Sequence, residues 1–265
     1  MSNIIKSALY KLSKDWTFKI ILIIGAAMAV FMNALYAGIG ALDGNIGEMC
    51  NGQSLYLSSL SPTQNFGLAV PINLIIFTIG EFNCGTIRNK IIAGHRKISI
   101  YFSLLLIGLI FTISVMAVYF GLSVGIASII GGFDVEGVTT LSSFRPEYLY
   151  QIPLMALATY IFIVSLTICV CVAIRSIGGV MPIVMLVIMF LYFAAFIPTT
   201  INLVKGATEM SWQAYINPLY TFGSLSIISV EIDTTWFILS MVCPLVWSVI
   251  FFGLGVLSFK KSDIK

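Results

Sequence analysis

The chain contains several apolar runs of about 20 residues each, and these runs constrain its fold more than any other feature, because a helix of that length spans a bilayer core. Hydrophobic residues make up 59% of the 265 residues and charged residues only 9%, and the mean hydropathy is +1.03. A water-soluble domain of this size would need a far more charged surface. The sequence therefore predicts a polytopic membrane protein.

We expect one all-α transmembrane domain over residues 1–265, because lipid tolerates no open sheet edge and the alternating pattern of a barrel is absent. Six spans are predicted, at about 18–38, 66–81, 101–130, 153–174, 178–198 and 235–259. Pro71 and Asn73 interrupt the second run, although a proline near the start of a helix is tolerated.

The basic residues predict the orientation of the chain in the membrane. With both termini inside, twelve of the fourteen Lys and Arg residues lie in inner segments, and only Arg145 and Lys205 lie outside. Eight of the eleven acidic residues fall outside in the same arrangement. Cytoplasmic loops are enriched in Lys and Arg, so we expect both termini in the cytoplasm.

Residues 1–17 are predicted to form an amphipathic helix at the membrane interface. Its apolar stripe consists of Ile5, Leu9, Leu12 and Trp16, and lysines lie away from that stripe. Such a helix suits the headgroup boundary of an anionic inner leaflet. Two interpretations stay open: a simple anchor that fixes orientation, or an elbow helix that also touches a cytosolic partner.

The predicted spans carry no Asp, Glu, Lys, Arg or His near the bilayer midplane, where ion-coupled carriers usually need them. The single histidine, His95, lies in a basic loop, and no metal motif or pair of intramembrane acids is found. Only Cys50 among the five cysteines is predicted outside, so free thiols are expected. We therefore expect no catalytic residue, metal or cofactor, which argues against a membrane-embedded enzyme.

Two stripes of small residues at four-residue spacing are present in the first and third spans, namely Gly25, Ala29, Asn33 and Ala37, and Ala117, Gly121 and Gly125. Small residues let helices approach closely, so these stripes predict packing within the subunit, a dimer seam or the lining of a pathway. Asn33 and Asn73 are pathway candidates, because burying an unpaired amide in lipid costs several kcal/mol.

The outer segment between the fifth and sixth spans, residues 201–234, is longer than a connector needs and strongly apolar around Asn217 and Pro218. We expect it to fold back, like a re-entrant segment, against the outer leaflet or the bundle. If it caps an exit route, Trp212 and Tyr215 are further pathway candidates. A purely structural lid explains the same pattern equally well.

The loop at 82–97, between the second and third spans, holds four basic residues and His95. From Glu81 to Gly94 the sequence reads EFNCGTIRNKIIAG. This resembles the E-x-x-x-G-T-x-R-x-x-x-x-x-G signature of permease subunits of type-2 ABC exporters. The closest subgroup is the bacterial one linked to peptide-antibiotic immunity and to drug or sodium extrusion. The motif covers fourteen residues, while the layout of six spans agrees over the whole chain.

The resemblance implies that this loop is a coupling helix seated in a groove of a separate ATPase subunit. The residues implied in coupling are Glu81, Gly85, Thr86, Ile87, Arg88, Asn89, Ile91 and Gly94. Gly85 would permit a sharp change of direction, and Gly94 would end a short helix. Ile87 and Ile91 would enter the groove, and Glu81 would pair with a nearby basic residue or accept backbone N–H groups. The alternative is a simple basic inner loop.

The function that the resemblance implies is that of a transport subunit in a bacterial cell membrane. The chain lacks the Walker A motif, so ATP would be hydrolysed by the partner. Expected partners are the lipid bilayer, two ATPase copies and a second permease, identical or related; nucleic acid is not expected. The expected cargo is amphipathic or hydrophobic, such as an antimicrobial peptide, a lantibiotic or a drug. The alternative is a non-transporting anchor or sensor subunit that uses the same coupling loop.

Overall fold

The computed structural model describes residues 2–42, 50–62, 67–133, 146–204, 216–220 and 234–261. Within these ranges all regular secondary structure is α-helical. In chain order the helices are α1 (Ser2–Lys14), α2 (Trp16–Leu42), α3 (Gly52–Leu60), α4 (Ala69–Asn83), α5 (Thr86–Ile92), α6 (Lys97–Gly131), α7 (Tyr148–Ile174), α8 (Ile177–Val204) and α9 (Thr234–Lys261).

Five helices are long and apolar enough to cross a membrane, namely α2, α6, α7, α8 and α9. The remaining predicted span, at 66–81, corresponds to α4, whose 15 residues cover only about 22 Å of the roughly 30 Å core. It reaches the required length only together with α5, and the two helices are bent by 50°. In the described residues, an all-helical fold is confirmed, with five helices able to span a membrane, or six if the bent pair counts as one.

The helix α7 begins at Tyr148, before its predicted start at 153, so that Pro153 lies inside it. A proline has no N–H, which leaves the carbonyl of Leu149, four residues earlier, without its helical donor. Tyr56 in α3 donates its hydroxyl to that carbonyl at 2.6 Å. Burial raises the pKa of Tyr56, whose hydroxyl is a donor at neutral pH even without that shift. The short helix α3 thus completes the hydrogen bonding of α7.

The core of the bundle lies around α7, which contacts α4, α6, α8 and, most extensively, α9. Two glycines of the neighbouring helices make close packing possible. A Cβ on Gly108 of α6 would lie only 3.1 to 3.2 Å from side-chain atoms of α4 and α7. A Cβ on Gly255 of α9 would overlap with the buried hydroxyl of Tyr101 on α6. The helices therefore meet at positions that sequence spacing did not single out.

The two predicted small-residue stripes have different surroundings in the structure. Three members of the first stripe are buried, namely Gly25, Ala29 and Asn33, and their helix α2 packs on α6. The second stripe, formed by Ala117, Gly121 and Gly125, is exposed. A Cβ on either of its glycines would meet no atom within 4 Å. The second stripe therefore does not pack against the described part of the chain, while a dimer seam and a pathway lining stay predictions.

The N-terminal helix is shorter than the predicted 1–17, because α1 ends at Lys14 and a new helix begins at Trp16. The side chain of Asp15 accepts a hydrogen bond from the backbone N–H of Thr17 at 2.9 Å and caps α2. Of the stripe, Leu12 is buried, whereas Leu9 and Trp16 are exposed. The break at Asp15 places Trp16 in a different helix from Leu9 and Leu12, and the membrane contact of the stripe stays a prediction.

Replacing Tyr56 with Phe removes the donor to Leu149 and keeps the ring, which lies edge-on to Phe120 at 5.1 Å between centroids. We expect the free energy of unfolding in detergent to fall by about 1–2 kcal/mol, because the carbonyl of Leu149 loses the donor that replaces its helical one. In a Pro153→Ala background the backbone N–H at position 153 replaces that donor, and the loss drops below about 0.5 kcal/mol. Equal losses in the two backgrounds would contradict this account of α3.

Candidate functional site

The basic segments meet at one end of the bundle, which we call the basic end. It contains α1, the α4–α5 corner (residues 81–85), the α7–α8 turn (residues 175–176) and the C-terminal end of α9. Lys97 at the start of α6 donates to the carbonyl of Lys260 at 3.1 Å. Arg175 in the α7–α8 turn lies over the ring of Phe82 in α4. Charges far apart in the sequence are therefore neighbours in space.

Two glycines set the direction of the backbone around α5. Gly85 has a φ of 68° and precedes the first residue of α5, while Gly94 has a φ of 81° and follows its last turn. Open space surrounds both positions where a Cβ would lie, so conformation rather than crowding favours glycine there. The predicted change of direction at Gly85 and helix end at Gly94 are both confirmed.

Glu81 lies in the last turn of α4 and is only 5% exposed. Its carboxylate accepts hydrogen bonds from Nζ of Lys11 in α1 and from Nζ of Lys90 in α5, the latter at 3.5 Å. Lys11 also donates to Oγ1 of Thr86 at 3.3 Å. A buried carboxylate is tolerated when it is paired and hydrogen-bonded. Glu81 therefore joins α1, α4 and α5.

The apolar residues of α5 point in directions that the sequence did not predict. Ile87 is buried, with 1% exposure, and Ile91 is half-buried against the same core. Ile92 is 73% exposed. In the structure Ile87 therefore lies against the chain's own bundle and does not face outward, while the predicted groove contact of Ile91 stays a prediction. Arg88 and Asn89 are exposed, and together with Ile92 they form the outward face of α5.

The outward face of α5 combines one apolar side chain, that of Ile92, with the basic side chain of Arg88. His95 and Arg96, which follow α5, are exposed as well. In the part of the chain that the structure describes, both ion pairs involve Glu81, and neither Arg88 nor Arg96 makes one. An exposed isoleucine surrounded by unpaired positive charge fits a partner with an apolar pocket and an acidic rim.

Of the predicted pathway residues, Asn33 and Asn73 are described, and neither lies at the basic end. Asn33 is fully buried between α2 and α6, where its Nδ2 donates to the carbonyl of Ala29 at 2.8 Å and contacts Oγ of Ser123 at 3.5 Å. Asn73 is half-buried in α4. Trp212 and Tyr215 lie outside the described residues. The surroundings of Asn33 are those of a packing residue, which satisfies its amide within the bundle.

Residues 216–220, the described part of the segment between α8 and α9, lie against the middle of both helices. Asn217 donates to the carbonyl of Leu191, near the middle of α8, at 2.7 Å. Trp247, at the middle of α9, donates to the carbonyl of Ile216 at 2.7 Å. Irregular backbone at such depth requires internal hydrogen-bond partners, and these side chains supply them. These five residues thus lie against the bundle, while a re-entrant segment on the outer side of the membrane stays a prediction.

Two buried hydroxyls near the middle of the bundle escaped the sequence analysis. Thr112 lies at mid-length in α6 and Tyr160 at mid-length in α7, and both are buried. Neither hydroxyl has a hydrogen-bond partner among the described residues. The sequence does not distinguish these two residues, because single Thr and Tyr residues occur in many apolar spans. They mark the interior between α6 and α7 as more polar than the hydropathy pattern suggests.

Replacing Glu81 with Gln removes the charge that Lys11 and Lys90 share and keeps the size of the side chain. We expect the free energy of unfolding to fall by about 1–2 kcal/mol, near the lower limit for charged hydrogen bonds, because Lys11 stays 43% exposed and partly solvated. A Glu147→Gln control, at an exposed carboxylate, should change it by less than about 0.5 kcal/mol.

The Glu81→Gln effect should shrink in a Lys11→Met background, because the pair is already broken there. Chemical unfolding of the full chain in detergent measures both losses. A full-sized loss in that background would show that Lys11 is not the partner that matters.

Comparison with protein-family models, with curated proteins and with solved structures finds no match to this chain. The likeness of residues 81–94 to the permease signature therefore stays a hypothesis, which rests on the motif and on the geometry of the basic end.

Proposed function

We propose that this chain is the transmembrane permease subunit of an ATP-driven exporter of the type-2 ABC kind, and that the outward face of α5 binds a separate ATPase subunit. The observation that carries the proposal is the way α5 is held. Left-handed glycines flank the helix, the Glu81–Lys90 ion pair ties its last turn to α4, and Ile87 anchors it to the bundle. Because these contacts attach α5 to the bundle, a partner that displaces α5 would displace the spans as well.

The outward face of α5 is matched to a protein partner. Ile92 offers an apolar side chain 73% exposed, and Arg88 and Asn89 beside it offer hydrogen-bond donors. Interfaces commonly place an apolar residue at the centre and charged or polar groups at the rim. The resemblance of residues 81–94 to the permease signature supports an ABC ATPase as that partner.

The proposed orientation puts the basic end in the cytoplasm of a bacterial cell, where the ATPase and its ATP are found. The excess of Lys and Arg at this end supports that orientation. A complete transporter of this kind has two ATPase copies and a second permease. The exposed stripe of Ala117, Gly121 and Gly125 is a surface at which a second permease could pack.

The cargo class follows from the apolar character of the spans and of the outer segment. We propose an amphipathic or hydrophobic molecule, such as an antimicrobial peptide or a drug. The second candidate function is a non-transporting anchor or sensor subunit that uses the same contact with the ATPase. ATP-dependent uptake of a cationic amphipathic peptide into inverted vesicles separates the two, because only the transporter accumulates the peptide.

Acidic substitutions on the outward face of α5 should break the complex with the ATPase. We expect Ile92→Glu and Arg88→Glu each to lower the amount of co-purified ATPase by at least about tenfold, the loss for a central interface residue. The ATPase to test is the one encoded beside the permease. Ile129→Glu is the matched control, because Ile129 is 85% exposed at the opposite end of the bundle.

The control variant should retain the ATPase at the wild-type level. Undiminished co-purification with both Ile92→Glu and Arg88→Glu would rule out this face as the docking surface. Quantitative immunoblotting of the purified complex gives the ratio of the two subunits.

A further inference from the structure

Arg175 has an unusual backbone conformation at the C-terminal end of α7. Its φ of 58° lies in the left-handed region, and it is the one non-glycine residue of the described chain with a positive φ. A side chain with a Cβ disfavours this region, and helices that end this way usually have glycine there. The sequence keeps an arginine at a position where glycine would be less strained.

The side chain of Arg175 has a specific neighbour. Its guanidinium carbon lies 5.8 Å from the centroid of the Phe82 ring, within the range of a cation–π contact. Phe82 is the residue after Glu81, and its ring is half-buried against the core. Adjacent residues of the α4–α5 corner are thus held from two sides, Glu81 by α1 and α5 and Phe82 by the α7–α8 turn.

The α7–α8 turn is short, which makes the contact mechanically direct. Only Arg175 and Ser176 separate α7 from α8. The backbone N–H of Arg175 donates to the carbonyl of Cys171 at 3.0 Å, and the carbonyl of Ser176 accepts from Val180 at 3.0 Å. With both sides of the turn tied to helical backbone, a displacement of Arg175 moves the ends of α7 and α8 together.

We infer that Arg175 is a positioning residue that ties the α4–α5 corner to α7 and α8, so that movement of α5 reaches the centre of the bundle. The role of the movement rests on the proposed function, but the tie itself does not. A basic residue that served only orientation would need neither the left-handed backbone nor a ring beneath it. Because α7 contacts α4, α6, α8 and α9, this tie connects the basic end to the centre of the bundle.

Hydrogen exchange of the full chain in lipid nanodiscs tests the tie without any partner. We expect Arg175→Gly to speed exchange of the α5 amides at least about threefold, although α5 does not contain the altered residue. The thermal midpoint should hold or rise, because glycine relieves the left-handed strain. Lys261→Gly, which removes one positive charge from the same end, should leave α5 exchange unchanged.

Substitutions of Phe82, whose ring contacts Arg175, test the same contact from the other side. Phe82→Leu should speed α5 exchange as Arg175→Gly does, whereas Phe82→Tyr, which keeps an aromatic ring, should stay within about twofold of wild type. A double variant that carries both Phe82→Leu and Arg175→Gly should exchange no faster than either single variant, because both remove the same contact.

Unchanged α5 exchange in Arg175→Gly, or equal effects of Phe82→Leu and Phe82→Tyr, overturns the inference. Wild-type chain that fails to bind the ATPase would refute the proposed function and leave these exchange results standing.

Discussion

Glu81 is a buried carboxylate that lies between two lysines, and the arrangement of the basic end depends on this one interaction. A charge in that position would be costly without its partners, so α1 and α5 must both pack where Lys11 and Lys90 can reach it. The ion pairs of Glu81 with Lys11 and Lys90 explain why a helix as short as α5, with only 7 residues, is held in a fixed direction. The outward face of α5, formed by Arg88, Asn89 and Ile92, stays exposed.

The same rule applies deeper in the bundle, where the chain supplies its own partners for polar groups that lipid cannot satisfy. Tyr56 donates to the carbonyl left open by Pro153, and Asn217 and Trp247 hold an irregular segment against α8 and α9. Internal satisfaction of this kind lets prolines and a folded-back segment occupy a membrane domain without exposing backbone to lipid. It also ties α3 to α7, and residues 216–220 to α8 and α9.

Local conformation could be predicted from the sequence, whereas contacts over long separations could not. Apolar runs predicted the long helices, and Gly85 and Gly94 were predicted at the ends of α5 because glycine favours positive φ. Lys11 was not predicted as the partner of Glu81, since 70 residues separate them. The four-residue spacing of Gly121 and Gly125 identified a stripe but not the side that it faces. The spacing of Ile87 and Ile91 likewise identified a stripe, which was assigned to a partner although Ile87 faces the bundle.

The central claim is that α5 presents Ile92 to an ABC ATPase while Ile87 stays inside the permease. Photo-crosslinking in intact bacterial membranes, with benzoylphenylalanine introduced at position 92 or at position 87, tests it most directly. The account predicts an adduct from position 92 whose tryptic peptides include a Walker A sequence, and only intramolecular products from position 87. An ATPase adduct from position 87 alone, or lipid adducts alone from position 92, would contradict it.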